Sequence, residues 1–324
     1  PLTGSVAYIG EAAKNGAELA MDKINNDTSL KHKYQLVIED DSLDAKKTAS
    51  AINKLISIDK VNTVISVSSG SGNIVTPIAE QNKLPHIGMA SDANVAKGDY
   101  NYIHWTQPNE EVEKLVAELQ KRNIKKVAML EVNQQGFLAT SLILREKIKG
   151  TGITIVSDEI FNTGETNFKT IILRSQKTNP DIYLLGAFSP EIEILGKQMK
   201  DLNINTPITS IESFSLTDNP AMFEGRWFID SAVSTDGFSE SYNKKYNKNV
   251  KLTSIIFQPI IIPIAASNGS FDSVMYRASS KIKLLNPSRL LGSIPFIIEY
   301  SGIEVLECVI VNRLISSVTN LCCS

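Results

Sequence analysis

Cysteine is nearly absent from the chain: three in 324 residues, Cys308, Cys322 and Cys323, all in its last stretch. An odd number with two adjacent is no disulfide framework, and no CxxC pair offers thiolates to zinc. Histidine is equally sparse: His32, His86 and His104 are scattered with no ligand-spaced carboxylate beside them, so neither a metal nor another cofactor is expected. No charge of one sign dominates. Lys+Arg 33 against Asp+Glu 35 gives a formal net charge of -2, which excludes a bulk electrostatic pull toward nucleic acid or an anionic membrane. Long apolar runs are missing too. The longest, residues 255–266, is broken by Pro259 and Pro263 and falls short of the roughly 20 residues that span a bilayer. No signal peptide is visible, and the opening Pro1-Leu2-Thr3-Gly4 reads like the end of a strand whose start has been cut away.

The remainder is ordinary globular material. Apolar residues make up 42% and charged residues 21%, which rules out wholesale disorder, a collagen repeat and a coiled coil. At roughly 150 residues per domain the length predicts two domains, each able to bury its own core. Small and apolar residues at helical spacing predict a helix over 11–25, a β-rich run over 34–39, a second helix over 45–58 and a strand over 61–67. A Ser/Gly turn at 68–73, a helix to about 82 and a strand over 85–89 come next. The series then repeats beyond Gln107: helices over 110–122, 136–149, 168–178 and 190–202 alternate with strands over 127–131, 153–161, 182–186 and 207–210. Strands alternating with helices of 10–15 residues indicate βαβ units and parallel sheets, so the fold class is α/β in two lobes. From Leu252 onward only 9 of 73 residues are charged, against 59 of the preceding 251, and no period persists.

Ligands of a parallel sheet bind beyond the carboxyl ends of its strands, which makes the turns there the candidate sites. Ser68-Ser69-Gly70-Ser71-Gly72-Asn73 joins a strand to a helix and offers hydroxyls, close backbone approach and the amides of a helix start to a carboxylate or phosphate. The plainer reading is a capped helix with no ligand. Ala90-Ser91-Asp92, after the next strand, can supply a carbonyl and a polar side chain or simply cap the adjoining segment. In the second half, Phe188 offers an aromatic face and Glu212 a carboxylate, although a lone loop Glu is usually solvated. An anion-holding turn on one lobe and a carboxylate on the other suit a zwitterion. Enzyme readings fit poorly: the Ser/Gly turn lacks a phosphate-loop Lys and is neither GxGxxG nor GxSxG, and nothing pairs Ser71 with His86 or His104 as a base.

These residues also carry a resemblance. Pro1-Leu2-Thr3-Gly4, Ala7, Gly10, Gly16, Leu19, Ala20 and Ile24-Asn25 resemble the opening of the type I periplasmic solute-binding proteins, in particular the leucine/isoleucine/valine-binding branch that serves ABC importers. Asp40-Asp41, Ser68-Ser69, Pro77, Ala79-Glu80, Pro85, Ile87, Ala90-Ser91, Gln135-Gly136, Asn167-Phe168, Pro190-Glu191 and Glu212 continue it in order across about 1–250. The resemblance implies two Rossmann-like lobes joined by hinge crossings, a Venus-flytrap, with residues 1–106 plus about 236–290 in lobe 1 and 107–235 plus about 291–324 in lobe 2. It implies that Ser68, Ser69, Ala90, Ser91 and Asp92 hold the carboxylate and amino group of an amino acid, that Glu212 pairs with the ammonium, and that Ile9, Gln135 and Phe188 border the side chain. Asp92 departs from the usual Thr or Ser, and Ile9 and Gln135 replace common aromatics, which bears on the side-chain pocket. After Leu252 the expected return helix is not legible, and the composition there reads as a diverged or out-of-frame end.

The function implied is that of a monomeric, non-enzymatic receptor, periplasmic or lipid-anchored outside the cell with its signal removed. It would capture a small zwitterion of branched-chain type and deliver it to an ABC permease, with no nucleic-acid partner. Two alternatives accompany it: a ligand-sensing regulatory module of the same fold that binds an amide or other small carboxylate, and a nucleotide- or sugar-phosphate-using enzyme on a doubly wound sheet.

Overall fold

The computed structural model describes residues 1–28, 33–231 and 237–248. The expectations for His32 and for everything from 249 onward, including most of the C-terminal share of lobe 1 and all of that of lobe 2, lie outside these residues. In chain order the elements are α1 (Ala7–Asn26), α2 (Ala45–Ser57), β1 (Val64–Val67), α3 (Ser69–Gln81), β2 (His86–Met89) and β3 (Asn101–Ile103). Then come α4 (Pro108–Lys121), β4 (Lys126–Val132), α5 (Gln135–Lys147), β5 (Thr154–Phe161), α6 (Lys169–Gln176) and β6 (Ile182–Gly186). The series closes with α7 (Glu191–Asp201), β7 (Ile208–Ser210), α8 (Ser213–Leu216) and α9 (Phe238–Tyr246).

Among the described residues these form two parallel sheets, of order β1-β2-β3 and β5-β4-β6-β7. The chain leaves the first after β3 and begins the second with α4. That helix starts where the sequence tells it to. Pro108 occupies its first turn, Glu110 complements the positive end of its dipole, and Val112, Leu115, Val116 and Leu119 recur at helical spacing and are buried. Burial of such side chains contributes about 1.5–3 kcal/mol each, so Leu115, with no exposed surface, anchors the helix. In β4, Ala128, Leu130 and Val132 join one core layer while Val127 and Met129 join the other, the period-two alternation of a strand covered on both faces.

The structure differs from the sequence expectation in instructive places. The Ser/Gly turn is already helix: Ser68 caps α3 by accepting the Ser71 N–H at 3.1 Å, and Gly70 and Gly72 lie in its first turns. Gly72 is required there because a Cβ would come within 2.8 Å of Val95. Residues 34–39 form no ladder with any described strand. The short strand β3 and helix α9 carried no sequence signal. Helix α9 returns to α1, where buried Phe238 and Tyr242 dock, Asn15 Nδ2 donates to the Tyr242 hydroxyl at 3.3 Å and the Tyr246 hydroxyl donates to the Asn15 carbonyl at 3.0 Å. No helix of the described residues is long and apolar enough to cross a membrane.

Candidate functional site

Two turns of the first sheet lie together beyond the carboxyl ends of β1 and β2. Ser69, buried in the first turn of α3, accepts the backbone N–H groups of both Ser91 and Asp92 at 3.1 Å. The hydroxyl therefore clamps the second turn to the first, and its own proton remains the group it can donate. Ser68, which precedes it, has φ 112, a conformation held only when the surroundings impose it. Asp92 caps the 3-10 turn that comes after it through the Asn94 N–H, and its other oxygen accepts from Asn73 Nδ2 at 2.8 Å. Ala90 is buried beside these groups in the small core of Val95, Ala96 and Ile103.

The second half of the chain closes onto this corner. Asn73 Nδ2 also donates to Gln135 Oε1 at 2.6 Å, joining α3 to the start of α5. Gly136 passes so close that an added Cβ would sit 3.3 Å from the Ser69 hydroxyl. Next along the chain, Phe137 meets Phe188 edge to face with centroids 5.1 Å apart. Phe188 packs against the first sheet's apolar face, among Ala13, Ala17, Ile87 and Met89, and Leu216 of α8 is buried in the same cluster. The Ser189 N–H donates to the Tyr8 hydroxyl at 3.0 Å, and Ser189 and Thr217 hydroxyls converge on Glu193. Ile9 is buried in the first turn of α1; the contact across to the second half is made by its neighbour Tyr8.

Glu212 takes the corner at the crossing between the sheets. It sits just beyond β7 with φ 59, in the left-handed region, and is turned inward with 9% exposure. Its Oε1 accepts the Ser231 hydroxyl at 3.1 Å, and Trp105 of the first crossing lies against it. Beside it is the carboxyl of Glu111 from the first turn of α4, 2% exposed and with neither oxygen in hydrogen-bonding geometry with a protein donor. Burial raises both pKa values, and for Glu111 the adjoining Glu212 charge raises it further, so the pair holds a proton. Glu131 is a third buried acid, at the end of β4 beneath Phe137 and Gly186; burial pushes it up to about 7, with Ser141 donating to its Oε2.

Hydrogen bonds thus bring Ser69, Ser91, Asp92 and Gln135 into one corner, with Ser68 and Ala90 beside them, whereas Glu212 lies among Glu111, Trp105 and Ser231. Trp105 packs against both the cluster holding Leu216 and the one holding Ala90, and Phe137 meets Phe188. Sequence reasoning missed Glu111, Phe137 and Trp105, and named Asn73 only as the end of the Ser/Gly turn. Glu111 looked like an ordinary first-turn acid, and only its burial distinguishes it. The imagined nucleophile is not assembled: Ser71 Oγ donates to Asp41, while His86 is bonded to Ser66 and Asn101 at 2.8 Å each. Among the described residues no group of three His, Cys, Asp or Glu side chains is placed to hold a metal ion.

Comparison with known proteins points one way. Residues 1–251 match the family described as periplasmic binding protein. The Leu/Ile/Val-binding protein BraC3 of Rhizobium johnstonii is 27% identical over 224 residues, covering 67% of this chain and 61% of the relative. With coverage of 61%, 56% and 61% in the first relatives, the chain spans about three fifths of the length of the curated proteins it matches. Among solved structures, a branched-chain amino acid substrate-binding protein from Streptococcus pneumoniae, in complex with isoleucine, superposes with a TM-score of 0.74 at 23% identity, covering 83% of this chain and 82% of that one. A solute-binding protein from R. palustris in complex with benzoate superposes with a TM-score of 0.75 at 16% identity, covering 83% and 78%.

Proposed function

This chain belongs to the periplasmic binding protein family, and from that premise we propose that it is a non-enzymatic receptor that captures a small zwitterion, an amino acid of branched-chain type, between two lobes. Ser68, Ser69, Ala90, Ser91 and Asp92 receive the carboxylate and part of the amino group. Glu212 takes the ammonium. Phe188, Gln135 and Ile9 border the side chain. Lobe 1 is built on residues 1–106 and receives α9, and lobe 2 is built on residues from 107 to about 235. The receptor works outside the cytoplasm as a monomer and presents its closed form to an ABC permease.

The observation that carries this reading is Glu212: a carboxylate just beyond β7, 9% exposed and set beside the second buried carboxyl of Glu111. A carboxylate buried beside a second carboxyl is costly unless a cation or a proton is supplied. An ammonium group answers that need and lowers the pair's pKa values on binding. Contacts reaching from both lobes favour the closed state by their differential affinity, so capture and closure are one equilibrium. An apolar wall discriminates by only about 1–3 kcal/mol per methylene, so Leu, Ile and Val are separated weakly.

Calorimetric titration of L-leucine tests it. Glu212→Ala should weaken binding at least hundredfold, the few kcal/mol typical of removing one partner from a buried charge pair; unchanged affinity removes Glu212 from the site. A second reading is favoured by the Phe137–Phe188 edge contact together with the benzoate-bound structure of like fold. It makes the ligand an aromatic carboxylate, whether for transport or for a sensing module. Titration with benzoate under the same conditions decides between them, since benzoate carries no ammonium and should be indifferent to Glu212→Ala.

A further inference from the structure

The touching carboxyls of Glu111 and Glu212 come from separate elements. Glu111 stands in the first turn of α4, where the chain begins its second half, and Glu212 immediately beyond β7. The local structure puts both of them inside. Glu111 shares the buried face of α4 with Pro108 and Leu115, three and four residues away. The Glu212 N–H donates to the Ile229 carbonyl at 2.8 Å, and its own carbonyl accepts the Ser215 and Leu216 N–H groups at 3.0 Å each. Those bonds fix its left-handed backbone from both sides.

Two carboxylates in contact away from water cannot both be ionised, so one proton is kept between them. The next ionisable neighbour, Asp230, accepts the Ser231 N–H at 2.9 Å, and its charge also disfavours ionisation of the pair. The two members differ in what they touch. Glu212 accepts the Ser231 hydroxyl at 3.1 Å and adjoins the Trp105 side chain, contacts that favour its ionised form. Neither oxygen of Glu111 is in hydrogen-bonding geometry with a protein donor. The proton therefore belongs on Glu111, which has Glu212 as the acceptor for it.

We propose that Glu111 is a positioning residue for ligand capture: it keeps one proton and donates it to Glu212, so that the pair meets the ligand with a single negative charge. This rests on the reading of Glu212 as the group that receives the ammonium. The charge count then selects the ligand. One ammonium neutralises the pair, whereas a ligand without a cation leaves a buried charge unpaired. In mild acid Glu212 takes up a second proton, which an incoming ammonium must expel, and affinity there falls by about tenfold for each unit of pH. An ordinary glutamate, ionised down to about pH 4.3, shows no such loss above pH 5.5.

Two measurements on the full chain test it. In the unliganded protein at pH 8, the infrared carbonyl band of protonated carboxyls should be weaker in Glu111→Gln than in wild type by the equivalent of one group. Calorimetric titration with L-leucine should show wild type binding about tenfold more weakly at pH 5.5 than at pH 7.5. At pH 7.5 Glu111→Met, which fills the space without a donor, should bind about tenfold more weakly than wild type. Glu111→Gln, whose amide donates to Glu212 in the proton's place, should recover most of that loss. An unchanged band in Glu111→Gln, equal wild-type affinity at the two pH values, or Met binding as tightly as Gln each overturns the proposal. If wild type binds no leucine at all, the ammonium reading falls instead, and the band, recorded without ligand, still decides where the proton lies.

Discussion

Replacing Glu131 with Gln should stabilise the protein at alkaline pH and change little in acid. Glu131 is 4% exposed, burial being the largest influence on it, and its pKa is raised from an ordinary 4.5 to about 7. Below 4.5 the carboxyl is protonated folded or unfolded, and its contribution does not vary with pH. Between 4.5 and about 7 the unfolded chain releases the proton while the folded chain keeps it. Stability therefore falls as pH rises through this window and levels off above it. At 1.36 kcal/mol for each tenfold change in proton affinity, the full loss is on the order of 3 kcal/mol. In melting temperature that is roughly 5–10 °C for a chain of this size. Gln keeps the shape and can still bond Ser141, but has no proton to lose. Scanning calorimetry of wild type and Glu131→Gln at pH 5 and pH 8 reads the difference directly. The variant should gain on wild type by several degrees at pH 8 and by about none at pH 5. A gain independent of pH, or no gain at all, would falsify the claim that a buried ionisation opposes folding at this position.

Two further outcomes concern the cleft and the first sheet. Asn73→Ala removes the donor shared by Asp92 and Gln135, so it should loosen the contact between α3 and α5; small-angle scattering should register a larger radius of gyration than wild type, and an unchanged profile would show the bridge to be incidental. His86 is buried between Ser66 and Asn101, and burial lowers its pKa from 6.5 to about 4. Its neutral form is bound by the fold, so stability is complete above 6.5 and declines as pH drops toward 4, which urea unfolding at pH 7 and pH 4.5 should detect and His86→Gln should diminish.

The two-sheet plan was legible because buried parallel strands such as residues 127–131 and 182–186 announce themselves as apolar runs, and because helices such as α4 carry both period and start signals. Short elements failed for a physical reason. The three residues of β3 are too few to show alternation, and α9 owes its place to Tyr242 and Tyr246 meeting Asn15 more than two hundred residues away in sequence. At the candidate site, Ser69 and Asp92 could be singled out because turns after strands are sparse and chemically distinct. Their mutual bonding was not foreseeable, since it depends on the spacing of neighbouring strands. Glu111 was invisible for the opposite reason: a first-turn glutamate is ordinary until the rest of the fold buries it.

The return of α9 to α1 has a mechanical consequence. The chain passes from the first sheet to the second beside Trp105, and comes back beyond Ser231 to clasp the helix from which it set out. A door hung on one pin can swivel in any direction, but hung on two it swings about the line between them. On the proposed two-lobed capture, Tyr242 and Tyr246 fasten the second pin, and opening and shutting of the jaws would follow a single arc.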